Sequence, residues 1–208
     1  MKTKIWENYF DIVILPPKEA RDYAIGLSRQ LNKCGTSWSL GRKNYLPHIS
    51  LFHIPVKPGN FNNFIVSLRK TVKNFKIGKL KVNNLLLWEP HFSVLLMTDK
   101  PDWIKKFYLK IIKNNLRYFN WDYNIEKLWV ADKLPKLCQK NLKKYGTPMV
   151  GRYFIPHITL GVFNNRKDME NGFGKLKFKR FNFKPNSIYV CQLGANHSCQ
   201  KIIEKIDC

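Results

Sequence analysis

Acid is scarce in this chain, arginine is scarcer still, and no apolar run is long. Its 208 residues hold 14 Asp and Glu against 37 Lys and Arg, and only 8 of the 37 are Arg. With so few acids there is no carboxylate cluster of the kind that holds a hard cation. No apolar stretch approaches the length of a membrane span, and the first residues lack the apolar segment of a secretory leader. A cytoplasmic protein is therefore expected, and a monomer; the five cysteines, Cys34, Cys138, Cys191, Cys199 and Cys208, are odd in number and scattered, which fits reduced thiols rather than a disulfide framework. Cys191, His197 and Cys199 hint at a metal, but the spacing fits no closed four-ligand zinc pattern, so neither metal nor cofactor is expected.

What is abundant is positive charge, a formal +23. Lysines that neutralise phosphates supply sequence-independent affinity through counterion release, so a polyanion is the natural partner. The excess is nearly all Lys in an Asn-rich chain, a bias that genome composition also produces. Charge alone is therefore weak evidence for nucleic acid.

The sharper signal is an internal repeat. Tyr45-Leu46-Pro47-His48-Ile49-Ser50-Leu51 returns 109 residues later as Phe154-Ile155-Pro156-His157-Ile158-Thr159-Leu160, and a Gly-Arg pair precedes each copy, Gly41-Arg42 and Gly151-Arg152. Proline is tolerated at the first residue of a strand and drives its predecessor into extended geometry, so Pro47 and Pro156 mark strand starts. Side chains alternate along a strand. His48 and Ser50 then share one face, and His157 and Thr159 share the equivalent face of the second strand. One such histidine is as readily a core residue as a functional one; a matched pair is not.

Two His-x-(Ser/Thr)-hydrophobic motifs about a hundred residues apart in a small chain resemble the 2H phosphoesterase superfamily. That group includes the LigT-like (2′-5′ RNA ligase-like) proteins, cyclic phosphodiesterases and 2′-5′-oligoadenylate phosphodiesterases. The resemblance spans nearly all of the chain and selects no subfamily. It implies an α+β, bilobal, pseudo-twofold fold occupying residues 1–208 as one domain, with the two motif strands side by side in a central cleft. It also implies metal-free chemistry on phosphodiesters of RNA or nucleotides.

The residue types suit that chemistry. In-line cleavage of a phosphodiester needs a base for the incoming oxygen and an acid for the leaving one, and two imidazoles titrating near pH ~6.5 supply both. His48 and His157 are the candidate pair, and Ser50 and Thr159 are placed to donate hydrogen bonds to nonbridging oxygens. The symmetry of the motifs leaves open which histidine is acid and which base. Tyr45 and Phe154 are candidates to stack a base or ribose, with core packing as the alternative. Arg42 and Arg152 are candidates to grip a terminal phosphate in a bidentate contact that Lys cannot copy.

Along the rest of the chain, Tyr9 to Leu15 reads as a strand buried on both faces, followed by a helix on Ala20, Ala24, Leu27 and Leu31. A second helix carries Phe61, Phe64, Ile65, Leu68, Val72 and Phe75 on one stripe. Leu80 to Trp88 and Phe92 to Met97 form a hairpin-like pair, and a helix opens at Pro101-Asp102. A strand is expected around Asn120 to Val130, a helix over Pro135 to Tyr145, and a half-buried strand over Lys175 to Lys179 with three lysines on one face. Ser187 to Leu193 and Cys199 to Ile206 complete the sheets. His53, five residues after His48, is expected on the opposite face as a structural residue, and His91 in solvent. The leading reading is a phosphodiesterase acting on RNA ends, oligonucleotides or small nucleotides, through 2′,3′-cyclic phosphate or 2′-5′ linkages. The alternatives are 2′-5′ RNA ligation and a non-catalytic RNA- or nucleotide-binding module.

Overall fold

In the computed structural model, residues 8–73, 75–125, 129, 131, 134–194 and 197–208 are described. The chain builds two four-stranded antiparallel sheets. Strand β1 (Tyr9–Ile14) is buried along its whole length, as its aromatic and β-branched residues require, and lies between β2 (Ile49–Pro55) and β7 (Ser187–Gly194), with β8 (Ser198–Asp207) outermost. The second sheet runs β5 (His157–Val162), β4 (Ser93–Thr98), β3 (Leu80–Trp88) and β6 (Phe181–Phe183). Each motif strand is thus the edge of its own sheet.

Helix α1 (Lys18–Asn32) connects β1 to β2, and α3 (Asp102–Asn115) lies between β4 and β5 in sequence. The two strand–helix–strand units are counterparts, and their helices are exchanged. Helix α1 packs on β5 of the other sheet and α3 packs on β2, which locks the two sheets to one shared core. The stripe Ala20, Ala24, Leu27 and Leu31 of α1 is buried as its spacing predicts. Full burial of each leucine is worth about 1.5–3 kcal/mol. Helix α2 (Phe61–Lys73) packs beside α3, α4 (Lys136–Tyr145) ends on Gly146 in the left-handed region, and α5 (Arg166–Gly174) covers β3 and β4.

Two expected strands are not found among the described residues. From Asn120 to Ile125 the chain makes turns rather than pairing; residues 126–128 and 130 of that expected strand lie outside the described residues. Lys175 to Lys179 keeps the alternation, with its lysines out and Leu176 and Phe178 turned in, but it joins no ladder, and the Lys179 N–H donates to the Tyr23 hydroxyl at 2.6 Å instead. Alternation reports one wet and one dry side, not hydrogen bonding. Helix α5 just before it is an element the apolar spacing does not predict, although Asn165 caps it by accepting from the Asp168 N–H. The expectation of reduced thiols is corrected at one pair: Cys191 and Cys199 are joined in a disulfide across the β7–β8 hairpin, with Cα atoms 5.6 Å apart. No helix among the described residues is long and apolar enough to cross a membrane.

Gly146 adopts φ 69°, and a Cβ there would collide with the buried Phe119 ring, whereas Gly35 at φ 94° has nothing near it. Gly146→Ala should therefore combine the left-handed penalty, about 1–2 kcal/mol, with overpacking of about 1–3 kcal/mol. Gly35→Ala should lose only the first. Chemical denaturation of the two variants checks the difference, and equal losses would contradict the packing.

Candidate active site

The repeated Pro-His dipeptides sit at the mouths of β2 and β5, and each histidine is fixed by its own backbone. The Nδ1 of His48 lies 2.7 Å from the carbonyl of Leu46, and the Nδ1 of His157 lies 2.7 Å from the carbonyl of Ile155. A carbonyl only accepts, so Nδ1 carries the proton in both rings and Nε2 is left for chemistry. The carbonyls are themselves on anchored segments. The Leu46 N–H donates to the Cys199 carbonyl at 3.1 Å, and Thr98 donates from both its N–H and its hydroxyl to the Pro156 carbonyl at 3.1 Å.

Each motif strand also carries a β-bulge at its leucine. In the first sheet Ile12 faces Phe52 and Val13 faces Ser50, which leaves Leu51 as the extra residue; in the second, Val94 faces Gly161 and Leu95 faces Thr159, which leaves Leu160. A bulge inserts one residue and reverses the alternation beyond it. This corrects the expectation for His53. The extra residue returns His53 to the face of His48 and Ser50, where its Nε2 lies 3.1 Å from Asp11 Oδ2 and 3.4 Å from Ser50 Oγ.

Asp11 is the site residue that the motifs do not point to. It is wholly buried in β1, directly opposite His53, and its Oδ2 lies 2.6 Å from Ser50 Oγ and 3.7 Å from His48 Nε2. Its signal in the sequence is one acid inside an otherwise apolar strand, in a chain poor in acids. Ser50 donates its only proton to Asp11, so in this arrangement it does not offer that proton to a phosphate, contrary to the expected role. The Thr159 hydroxyl has no such acid beside it, because Ser93 occupies the position equivalent to Asp11.

His48, Ser50, His53, His157 and Thr159 line a cleft of about 530 Å³ between the sheets, with Asp11 buried behind them. All five histidines of the chain reach it, His48, His53, His91, His157 and His197, and among the described residues no Lys or Arg lines it. His91 is exposed at the rim, as expected of it. His197, in the turn before β8, stacks on His53 at 5.3 Å and on Trp129 at 4.7 Å. Tyr45 lines the cleft in a stack with Trp38 at 5.3 Å, so a two-ring face is on offer there. Phe154 reaches the lining but is 4 % exposed and stacks on Tyr108 at 3.8 Å, which makes it chiefly a core residue. The two arginines are elsewhere. Arg42 is drawn to Asp22, with Nε and a terminal nitrogen each 3.0 Å from one carboxylate oxygen, in a separate small cavity beside Pro47. Arg152 lies over the Tyr153 ring and donates to its hydroxyl at 3.2 Å. In both cases a nearer partner on the surface takes the guanidinium.

Burial holds His48 below the usual imidazole range, opposed by the Asp11 charge and the Leu46 carbonyl. Burial does the same to His157, opposed mainly by the Ile155 carbonyl, and a protonated His48 lowers it further. His197 is pushed down to about 3, first by burial and then by His53. Among the described residues no three His, Cys, Asp or Glu side chains converge as a metal site.

No protein-family model and no curated protein matches the chain. Solved structures do match in fold. The Thermus thermophilus protein TT0787 shares 9 % identity over 96 % of this chain and 97 % of its own, with a TM-score of 0.62. Escherichia coli LigT, solved in apo form and complexed with phosphate, shares 10 % identity over 96 % of both chains, with a TM-score of 0.57. Kluyveromyces marxianus Usb1 shares 9 % identity over 98 % of this chain and all of its own, with a TM-score of 0.50. At such identities the likeness is one of fold, and it is the bilobal LigT-like fold that the paired motifs implied.

The depressed imidazoles make stability depend on pH. An unfolded histidine binds its proton near pH ~6.5, whereas folded His197 does so only at about 3. Between those values the unfolded chain holds the extra proton, so stability is complete above ~6.5 and declines as pH falls through that window. Denaturation midpoints from pH 7.5 to 5 should fall, and His197→Gln should flatten the decline. An unchanged slope in the variant would contradict the buried neutral state.

Proposed function

We propose that the chain is a metal-independent phosphodiesterase that uses His48 and His157 as an acid–base pair on RNA or nucleotide phosphodiesters, breaking a 2′,3′-cyclic phosphate or a 2′-5′ linkage. The observation that carries this reading is the matched pair of imidazoles, each with Nδ1 held by a backbone carbonyl at 2.7 Å and each lining the same cleft. One neutral Nε2 takes a proton from the incoming oxygen while the other, protonated, gives one to the leaving oxygen. Burial favours the neutral state of both rings, which suits a base directly and leaves the acid to be made by its surroundings. The Thr159 hydroxyl is the donor best placed for a nonbridging oxygen. The Trp38–Tyr45 face supplies stacking for a base without strong sequence preference. LigT, which shares the fold, has been captured with phosphate, and that supports a phosphoryl substrate for the present cleft.

His48→Ala and His157→Ala should each lower kcat/KM by roughly 10²–10⁴, the range of a general acid or base. The double variant should fall far short of the product of the two, because the residues act as a unit. Thr159→Ala should cost less than either. Turnover should persist in EDTA, and loss of activity that a divalent ion restores would sink the metal-independent mechanism. Assays on 2′,3′-cyclic nucleotides, 2′-5′ oligoadenylates and cyclic-phosphate-ended RNA select among substrates. Absence of product from all three, with oligonucleotide binding retained, would favour a binding module.

Salt gives a separate test. With no Lys or Arg in the described lining, hydrolysis of a mononucleoside cyclic phosphate should be nearly independent of ionic strength. If the exposed Lys175, Lys177 and Lys179 serve a strand, oligonucleotide affinity should fall with salt at about −0.7 per phosphate neutralised, and their joint replacement should flatten that slope. Equal slopes for long and short substrates would make the +23 charge a compositional background.

A further inference from the structure

The repeat is symmetric in its motifs and asymmetric beside them. Where the first sheet sets Asp11 against His53, the second sets Ser93 against Val162, so the motif strand of His48 is paired with an acid and the motif strand of His157 with a serine. Resting on the acid–base reading above, we infer that Asp11, held in place by His53, keeps the proton on His48 and so makes His48 the general acid and His157 the general base.

The geometry supports each part of this. Asp11 Oδ2 is 3.7 Å from His48 Nε2, beyond a hydrogen bond and well within the reach of its charge. The carboxylate cannot swing away. Ser50 and His53 donate to the same oxygen at 2.6 and 3.1 Å, and the His53 ring packs against both Trp129 at 5.4 Å and His197 at 5.3 Å, which also stack on each other. Asp11 Oδ1, in contrast, is buried with no hydrogen-bond partner among the described residues, so the carboxylate is only half satisfied there. A wholly buried acid in that state is a weak stabiliser and well suited to fixing the charge of a neighbour. Among the described residues the titratable groups that act on His48 are Asp11 from β1, His53 from β2 and His157 from β5, with His197 behind His53. Asp11 is the sole acid among them. Its charge is the main support for a protonated His48, whereas for His157 that support comes chiefly from the Ile155 carbonyl.

The proton balance follows. His157 Nε2 removes a proton from water as the water oxygen bonds to phosphorus. The bond from phosphorus to the leaving ribose oxygen breaks, and that oxygen takes the proton from His48 Nε2. His157 ends protonated and His48 neutral, and exchange with solvent restores the pair. Asp11 touches no reacting atom; it is a positioning residue.

The test is the pH dependence of kcat/KM on a mononucleoside 2′,3′-cyclic phosphate. Removing the carboxylate in Asp11→Asn takes away what favours protonated His48, so the alkaline limb should move to lower pH by at least about one unit, with the acidic limb in place. Movement of the acidic limb instead would make His48 the base and overturn the assignment. Two unmoved limbs would leave Asp11 with a structural role and overturn it equally. Should Asp11→Asn not fold, imidazole titration of the wild-type protein by NMR decides: His48 must titrate above His157, and the opposite order refutes the proposal. The titration also separates this inference from the one it rests on, since a protein with no turnover on any diester can still show, or fail to show, the Asp11 effect on His48.

Discussion

Each imidazole of the pair, His48 and His157, is tied, across its own proline, to a carbonyl two residues earlier. Much else in the protein can be seen as keeping those two carbonyls still. Proline removes a backbone donor and fixes φ, so the segment just ahead of the histidine cannot slide into the ladder and compete for the ring. The carbonyl then selects the tautomer, and the tautomer decides which nitrogen faces the cleft. On the first side the Leu46 peptide is gripped by β8. On the second, Pro156 is gripped by β4 through Thr98, and the Gly151 N–H and carbonyl are held by Tyr108 and Lys100 of the neighbouring helix region. The exchanged helices α1 and α3 bind the two halves together, which is what turns two edge strands into the walls of one cleft.

The motifs, the strands that bear them and the helices between them were legible because local chemistry governs them: proline at the strand start, alternation along it, apolar stripes every three or four residues. What was not legible depended on pairing. The parity argument that sends His53 away from the site fails only because Leu51 is bulged out, and a bulge depends on the partner strand, not on the strand that contains it. Asp11 is visible in the sequence as an acid out of place, yet its relation to His53 and Ser50 needs the same register. Symmetry assigns Arg42 and Arg152 to a phosphate, and they go to Asp22 and Tyr153 instead, since an exposed guanidinium takes the nearest partner. Lys175 to Lys179 shows a true alternation of wet and dry sides and no ladder. Cys191 and Cys199 look like scattered thiols because hairpin geometry is not visible in an odd count of cysteines.

The charge of the chain and the charge of the cleft are different matters. A surface rich in lysine surrounds a cavity lined by aromatic rings and imidazoles, with a single buried carboxylate beside them. Long-range attraction of a polyanion is thus a property of the exterior. On the proposed reading, holding a phosphate falls to groups that are cationic only when protonated, and burial works against that state for His48, His157 and His197. Among its described lining residues such a site keeps no permanent counter-charge for the product that the proposed hydrolysis would leave.

The strand order β2-β1-β7-β8 has a consequence for how the protein comes into being. The second sheet is made wholly from residues 80 to 183, whereas the first joins the earliest strands to the last two. On the ribosome β1 and β2 emerge early, but β1 has one uncovered edge until β7 arrives well over a hundred residues later, and the Leu46 peptide has no Cys199 carbonyl to hold it until β8 is made. Closure over so long a span is slow, because the entropy of the loop is lost before the contacts form. During that interval a strand that ends up wholly buried is open to pairing with a neighbour, and the acid in its middle, costly to bury in any pairing that lacks Ser50 and His53, disfavours the wrong one.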